Sequence, residues 1–168
     1  MLGRPKSNPD SAGSLLSAEH FQVAYATNDI DRACALFRER FGVRRFARLE
    51  GPTAAGGHIR VELAWIGGVM VELMTSSGEG SAIYVDRLPE GPNFALKLHH
   101  LGYLIDDEPQ WEALMATVAT DGHRLAHLSN SAGFMRSCFV DAPELGHYLE
   151  YIWPEPAGRA FLESVPGN

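Results

Sequence analysis

Four side chains able to ligate a divalent cation stand at matched positions in two copies of one pattern. Gln22 and His100 open the similar segments QVAYATND (22 to 29) and HLGYLIDD (100 to 107). Glu72 and Glu150 lie in GVMVELM (68 to 74) and GHYLEYI (146 to 152). Each pair is 78 residues apart, and Gln22 to Glu72 spans 50 residues, as does His100 to Glu150. The same register superposes Tyr25 on Tyr103, Asp29 on Asp107 and Gly68 on Gly146. One imidazole, one amide oxygen and two carboxylates make an oxygen-rich set suited to Zn, Ni, Co or Mn, with Mg admissible, and positions left for water or substrate. Such a set does not suit a metal that requires thiolates.

For the four to meet, each must lie on a strand and face the same way. Alternation along a strand puts Gln22 with Ala24 and Ala26, His100 with Gly102 and Leu104, Glu72 with Met70 and Met74, and Glu150 with Tyr148 and Ile152. Each polar group then stands alone on an apolar or small-residue face, where an unpaired buried carboxylate costs several kcal/mol. One shared cation removes that penalty for both carboxylates. By the same alternation His99, His147, Tyr25 and Tyr103 turn to the opposite face, the two tyrosines towards helix packing or an interface.

Each copy supplies the same elements. A strand, Phe21 to Ala26, runs into Asn28 and Asp29, which can cap a helix carrying Ile30, Ala33, Phe37 and Phe41 on one stripe, with Gly42 as its stop. In the second copy, Leu101 to Ile105 leads to Asp106 and Asp107, Pro109 in the first turn, the stripe Trp111, Leu114, Met115 and Val118, and Gly122. Three strand-like runs follow each helix: 45 to 49, 58 to 66 and 69 to 75, then 124 to 129, 134 to 141 and 147 to 153, separated by Gly- and Pro-rich turns. The pattern predicts an α+β fold of two tandem βαβββ modules, 18–75 and 99–154, in one domain spanning 18–154. Residues 76–98 join them and read as a loop or lid, 1–17 as a flexible tail without a secretory signal, and 155–168 as a tail or short helix.

Composition narrows the partners. With 14 Lys and Arg against 21 Asp and Glu, the net charge of −7 leaves no basic face for nucleic acid. No apolar run approaches the roughly 20 residues that span a bilayer. Cys34 and Cys138 have no CxxC spacing and fall within a predicted helix and strand, so neither a disulfide nor a thiolate site is expected, and a reducing cytoplasm fits.

From about residue 18 to 154, the paired modules, the passages QVAYATNDIDRACALF and HHLGYLIDDEPQWEAL, and the closing strand GHYLEYI resemble the vicinal oxygen chelate superfamily. That superfamily includes glyoxalase I, methylmalonyl-CoA epimerase, extradiol dioxygenases, and fosfomycin and bleomycin resistance proteins. The resemblance implies a half-barrel closed around one divalent ion, ligands at Gln22, Glu72, His100 and Glu150, a small-molecule substrate and a homodimer. It leaves open whether each site lies within one chain or is shared between two. It further implies a lyase or isomerase that moves a proton next to a carbonyl or thioester through a metal-stabilised enediolate, with Glu150 as the first choice of base and Glu72 as second base or return acid.

The ligand types look like those of zinc-type glyoxalase I, yet the position where those enzymes hold glutathione with an Arg is Ala26, which argues against glutathione. Met70, Met74, Tyr148 and Trp153 suggest a more apolar carbonyl compound or thioester. Gln22 in place of a second His argues against ring-cleaving oxygen chemistry, and a metal-free drug-binding protein of the same fold is the main alternative. Arg60 and Arg136 are candidates for a substrate anion but read more readily as salt-bridged. His58 and His127 carry no assigned role, and the Gly-rich pieces lack the order of a nucleotide-binding loop.

Overall fold

The computed structural model describes residues 14–168; the expected flexibility of residues 1–13 lies outside them. Ser14 to Ser17 form a turn, and the Leu15 carbonyl accepts a hydrogen bond from the Tyr151 hydroxyl. The elements are β1 (Glu19–Thr27), α1 (Ile30–Phe41), β2 (Ala47–Pro52), β3 (His58–Ile66), β4 (Val69–Ser77), α2 (Ala82–Val85), β5 (Leu96–Leu104), α3 (Glu108–Thr120), β6 (Leu125–Ser131), β7 (Met135–Ala142), β8 (His147–Pro154) and α4 (Pro156–Ser164).

The eight strands form one sheet in the order β2-β3-β4-β1-β5-β8-β7-β6, curled into a half-barrel. Within each module the first strand runs parallel to the last, β1 beside β4 and β5 beside β8, and the modules join through antiparallel β1 and β5. Strand β5 starts at Leu96, inside the stretch expected to be linker, because Leu96 to Leu98 pair with Thr27 to Tyr25 and prolong the joint.

Local chemistry sets the helices. Asp29 accepts from the Arg32 N–H at 2.9 Å and Asp107 from the Gln110 N–H at 2.9 Å, so each satisfies a free donor at a helix start. Ile30, Ala33, Cys34 and Phe37 bury against Ala64 and Leu73 on one half of the sheet. Trp111, Leu114 and Val118 bury against Tyr103, Val140, Leu149 and Tyr151 on the other. Tyr25 packs on Phe37 and Tyr103 stacks on Tyr151, so both tyrosines lie under the helices. Both cysteines are buried and free. Among the described residues, no helix is long and apolar enough to cross a membrane.

The inner face carries its own apolar cluster of Phe21, Val61, Leu63, Met70, Met74 and Ile152, completed by Leu162 and Val165 from the chain end. Helix α4 thus leaves module two and packs back on module one. The Trp65 indole N–H donates to the Leu162 carbonyl, and the Trp65 backbone exchanges hydrogen bonds with Pro166 and Asn168. At Gly158 a Cβ would collide with the Phe134 carbonyl oxygen in the β6–β7 turn, so the start of α4 needs glycine to lie against module two.

Candidate metal centre

The four central strands each contribute one polar side chain to the inner face. Gln22 comes from β1, Glu72 from β4, His100 from β5 and Glu150 from β8, all in one chain. Register makes them converge: Ala24 pairs with Glu72 on one side and His100 on the other, while Gly102 pairs with Gln22 and Glu150. Gly102 leaves the Gln22 side chain its space, since a Cβ there would stand 2.5 Å from Gln22 Oε1 and 2.8 Å from its Cβ.

The side chains form one connected group. Gln22 Nε2 donates to Glu72 Oε2 at 2.6 Å, and Gln22 Oε1 lies 3.4 Å from His100 Nε2. His100 Nε2 is also 2.9 Å from Glu150 Oε2. One donor atom each from Glu72, His100 and Glu150 lies within 4.8 Å of the others. Ligands on bonds of about 2.0–2.2 Å lie about 3 to 3.6 Å from their neighbours around an ion, so the three atoms are grouped closely enough to converge on one by side-chain adjustment. Hard and borderline donors, convergent and shielded from water, fit one divalent ion.

Burial governs their protons. Exposure is 1% for Gln22 and His100 and 8% for Glu72 and Glu150. Desolvation pushes the Glu150 carboxyl up to about 8. It pushes Glu72 to about 7, a rise opposed by His100 and the Gln22 hydrogen bond and reinforced by Glu150. Desolvation lowers His100 to about 4, with Glu72 opposing and His147 adding to the drop. The His100 to Glu150 contact is therefore a hydrogen bond between neutral groups, although its geometry alone would pass for an ion pair.

A cavity opens from this group. Leu49, Val61, Leu63 and Met74 line its module-one side and Ser129, Ser131 and Ser137 its module-two side, with Phe161 and Leu162 of α4 at its edge. Among the described residues, its lining contains no Lys or Arg. Of the apolar residues singled out in the sequence, only Met74 lines it. Met70 is fully buried, Trp153 lies near Trp111 and under Arg136, and Tyr148 is buried with its hydroxyl donating to Asp86.

The other sequence candidates lie elsewhere. Arg60 is held by Asp31 at 2.8 Å and Glu62 at 2.7 Å, and Arg136 stacks on Trp153 with Glu108 at 4.0 Å. His58 faces Glu50, His147 points a ring nitrogen at the Tyr148 carbonyl, and His127 sits beside Tyr84.

His99 departs from the expectation that it faces away. The β1–β5 pairing shifts register between Ala24 and Tyr25, whose partners are His100 and Leu98, leaving His99 as the extra residue of a bulge. Both imidazoles consequently meet the inner-face residue Phe139, and His99 also packs on Tyr148. The HH doublet was the available signal; the bulge that interprets it depends on the partner strand. Tyr84 of α2, in the stretch expected to be a loop or lid, also lines the cavity beside the three serines, and nothing local in the sequence marked any of the four.

A family model described as "Glyoxalase/Bleomycin resistance protein/Dioxygenase superfamily" matches residues 21–139, most of the two modules. The chain belongs to that superfamily. Among solved structures, this superfamily member resembles methylmalonyl-CoA epimerase from Mycobacterium tuberculosis, with 19% identity and a TM-score of 0.58 over 88% of this chain and 94% of that one. It also resembles a methylmalonyl-CoA epimerase in complex with methylmalonyl-CoA and NH4+, with 16% identity and a TM-score of 0.61 over 83% and 96% of the two chains. A Streptomyces coelicolor methylmalonyl-CoA epimerase variant in complex with 2-nitronate-propionyl-CoA gives the same figures. At these identities the likeness establishes the glyoxalase-superfamily fold. No curated protein matches the chain at a significant level.

Proposed function

We propose that this protein is a metal-dependent isomerase or lyase that moves a proton on the carbon next to a carbonyl or thioester. The observation that carries the reading is the pair of buried carboxyls, Glu72 and Glu150, beside one imidazole and one amide at the inner end of a largely apolar cavity. Gln22, Glu72, His100 and Glu150 would hold one divalent ion, which when bound supplies positive charge for a substrate oxygen. The remaining chemistry belongs to the side chains. Glu150 would accept the proton from the substrate carbon once substrate has loosened its hold on the ion, since a coordinated carboxylate is a weaker base than a free buried one. Glu72, contributed by the other module, returns a proton or acts as the second base.

The cavity favours a substrate with an apolar flank towards Leu49, Val61 and Met74 and hydrogen-bonding groups towards Ser129, Ser131 and Ser137. With no cation among the described lining residues, a substrate anion would be neutralised by the metal or placed outside the cavity. The structural neighbours make an acyl-CoA thioester the first probe.

Protein purified without chelator should contain about one divalent ion per chain and exchange the α-proton of methylmalonyl-CoA, or of a panel of 2-hydroxy carbonyl compounds, with D2O. Chelator should abolish exchange and metal restore it. Tight binding across the panel without exchange, in metal-free protein, would replace this reading with that of a binding module.

A further inference from the structure

Two histidines in succession form a hydrogen-bonded chain that ends at the candidate metal centre. His99 Nε2 lies 2.7 Å from the Ile83 carbonyl oxygen in α2. His99 Nδ1 lies 2.9 Å from His100 Nδ1, and His100 Nε2 faces Glu150 and Gln22. A carbonyl only accepts, so the proton at the first contact must reside on His99 Nε2. A neutral His99 then has its lone pair at Nδ1, and His100 must donate to it from its own Nδ1. A neutral His100 is left with a bare Nε2, the atom directed at the other three ligands.

Neutrality follows from the surroundings. His99 and His100 are 0% and 1% exposed, and His99 packs against Phe139 and Tyr148. The reverse proton arrangement would set a lone pair of His99 against the Ile83 oxygen.

We propose that His99 is a positioning residue that fixes His100 as the Nδ1–H tautomer, with its Nε2 lone pair presented to a divalent cation. This rests on the metal reading of the site. The hydrogen bond from the ligand's other ring nitrogen holds the imidazole plane, the role usually filled by a carboxylate or backbone carbonyl. Here a second imidazole relays that role from the backbone of α2.

The tautomer is measured in metal-free wild-type protein labelled with 15N-histidine, by two-bond proton–nitrogen correlation. The proposal expects protonated Nδ1 and bare Nε2 on His100, and a proton on Nε2 would overturn it. Metal affinity is then measured by chelator competition with Zn or Co. His99→Phe keeps a ring but has no acceptor, and should bind about 10- to 100-fold more weakly. His99→Asn offers an oxygen near the Nδ1 position and should restore much of the affinity. Equal weakening in both variants, or none in H99F, would refute the acceptor role. Should H99F fail to fold, the wild-type spectrum and H99N decide. Failure of wild-type protein to bind metal would remove the metal reading while leaving the tautomer result intact.

Discussion

Glu150→Gln is expected to lower metal-dependent proton exchange by about a hundred- to ten-thousand-fold while leaving the metal-free fold at nearly its original stability. The two outcomes separate because the substitution is nearly isosteric and the native carboxyl is held largely neutral by burial, up to about 8. An amide at this position can still donate to His100 Nε2, now 2.9 Å from Glu150 Oε2, so no buried polar group loses its partner. What disappears is the proposed anionic ligand and the oxygen proposed to accept the substrate proton. Deuterium incorporation into the turned-over substrate, measured beside urea unfolding of the chelator-treated variant, tests both halves. Full exchange by E150Q would eliminate Glu150 as the base and transfer the assignment to Glu72.

The metal-free protein should lose about 2 kcal/mol of stability between pH 6.5 and 8.5, a loss that a divalent ion cancels. Unfolded, both carboxyls titrate near 4.5; folded, Glu72 titrates near 7 and Glu150 near 8. The folded state therefore holds more protons over that interval, so stability falls as pH rises and the loss is complete above Glu150's folded value. The two imidazoles act oppositely and mostly lower down: their folded values of about 3 and about 4 lie below the ordinary 6.5, so their contribution rises with pH and flattens about one unit above 6.5, offsetting about 0.8 kcal/mol of the carboxyl loss. Above about pH 7.5 the carboxyls act alone. A bound cation favours their anionic forms, and at a thousandfold excess over Kd it adds about 4 kcal/mol. Urea midpoints at the two pH values, with chelator and with metal, are the measurement; equal midpoints in chelator would mean that the carboxyls ionise without penalty.

Duplication explains why the four-residue group was legible in the sequence. Gln22 and His100 occupy corresponding positions on the first strand of each module, and Glu72 and Glu150 on the last, so one register located two strand faces at once. Helix positions were equally readable, because Asp29 and Asp107 announce them locally and the apolar stripes follow. His99 was hidden for a physical reason: its orientation depends on a bulge created by pairing with β1, which strict alternation along β5 cannot reveal. The chain end was obscured by distance. Leu162 is apolar enough to pack, but its partner Trp65 lies 97 residues earlier, and only the curl of the sheet brings them together. Ser129, Ser131 and Ser137 look like ordinary strand serines until that same curl turns them into a wall.

The strand order also orders events in time. Hairpins β3–β4 and β7–β8 join neighbours in the chain, whereas the three seams between the strands that carry the candidate ligands, β4–β1, β1–β5 and β5–β8, join segments separated by a whole helix or more. Such distant pairings carry the larger loop-closure cost and tend to form late. An ion that needs all four strands can be gripped only after the last seam closes, so it stabilises the finished chain more than the folding transition state. Its effect should fall on the unfolding rate, slowing it with little change in the folding rate, and stopped-flow denaturant jumps with and without metal would register the split. The cation would then set how long each folded molecule lasts rather than how quickly it forms.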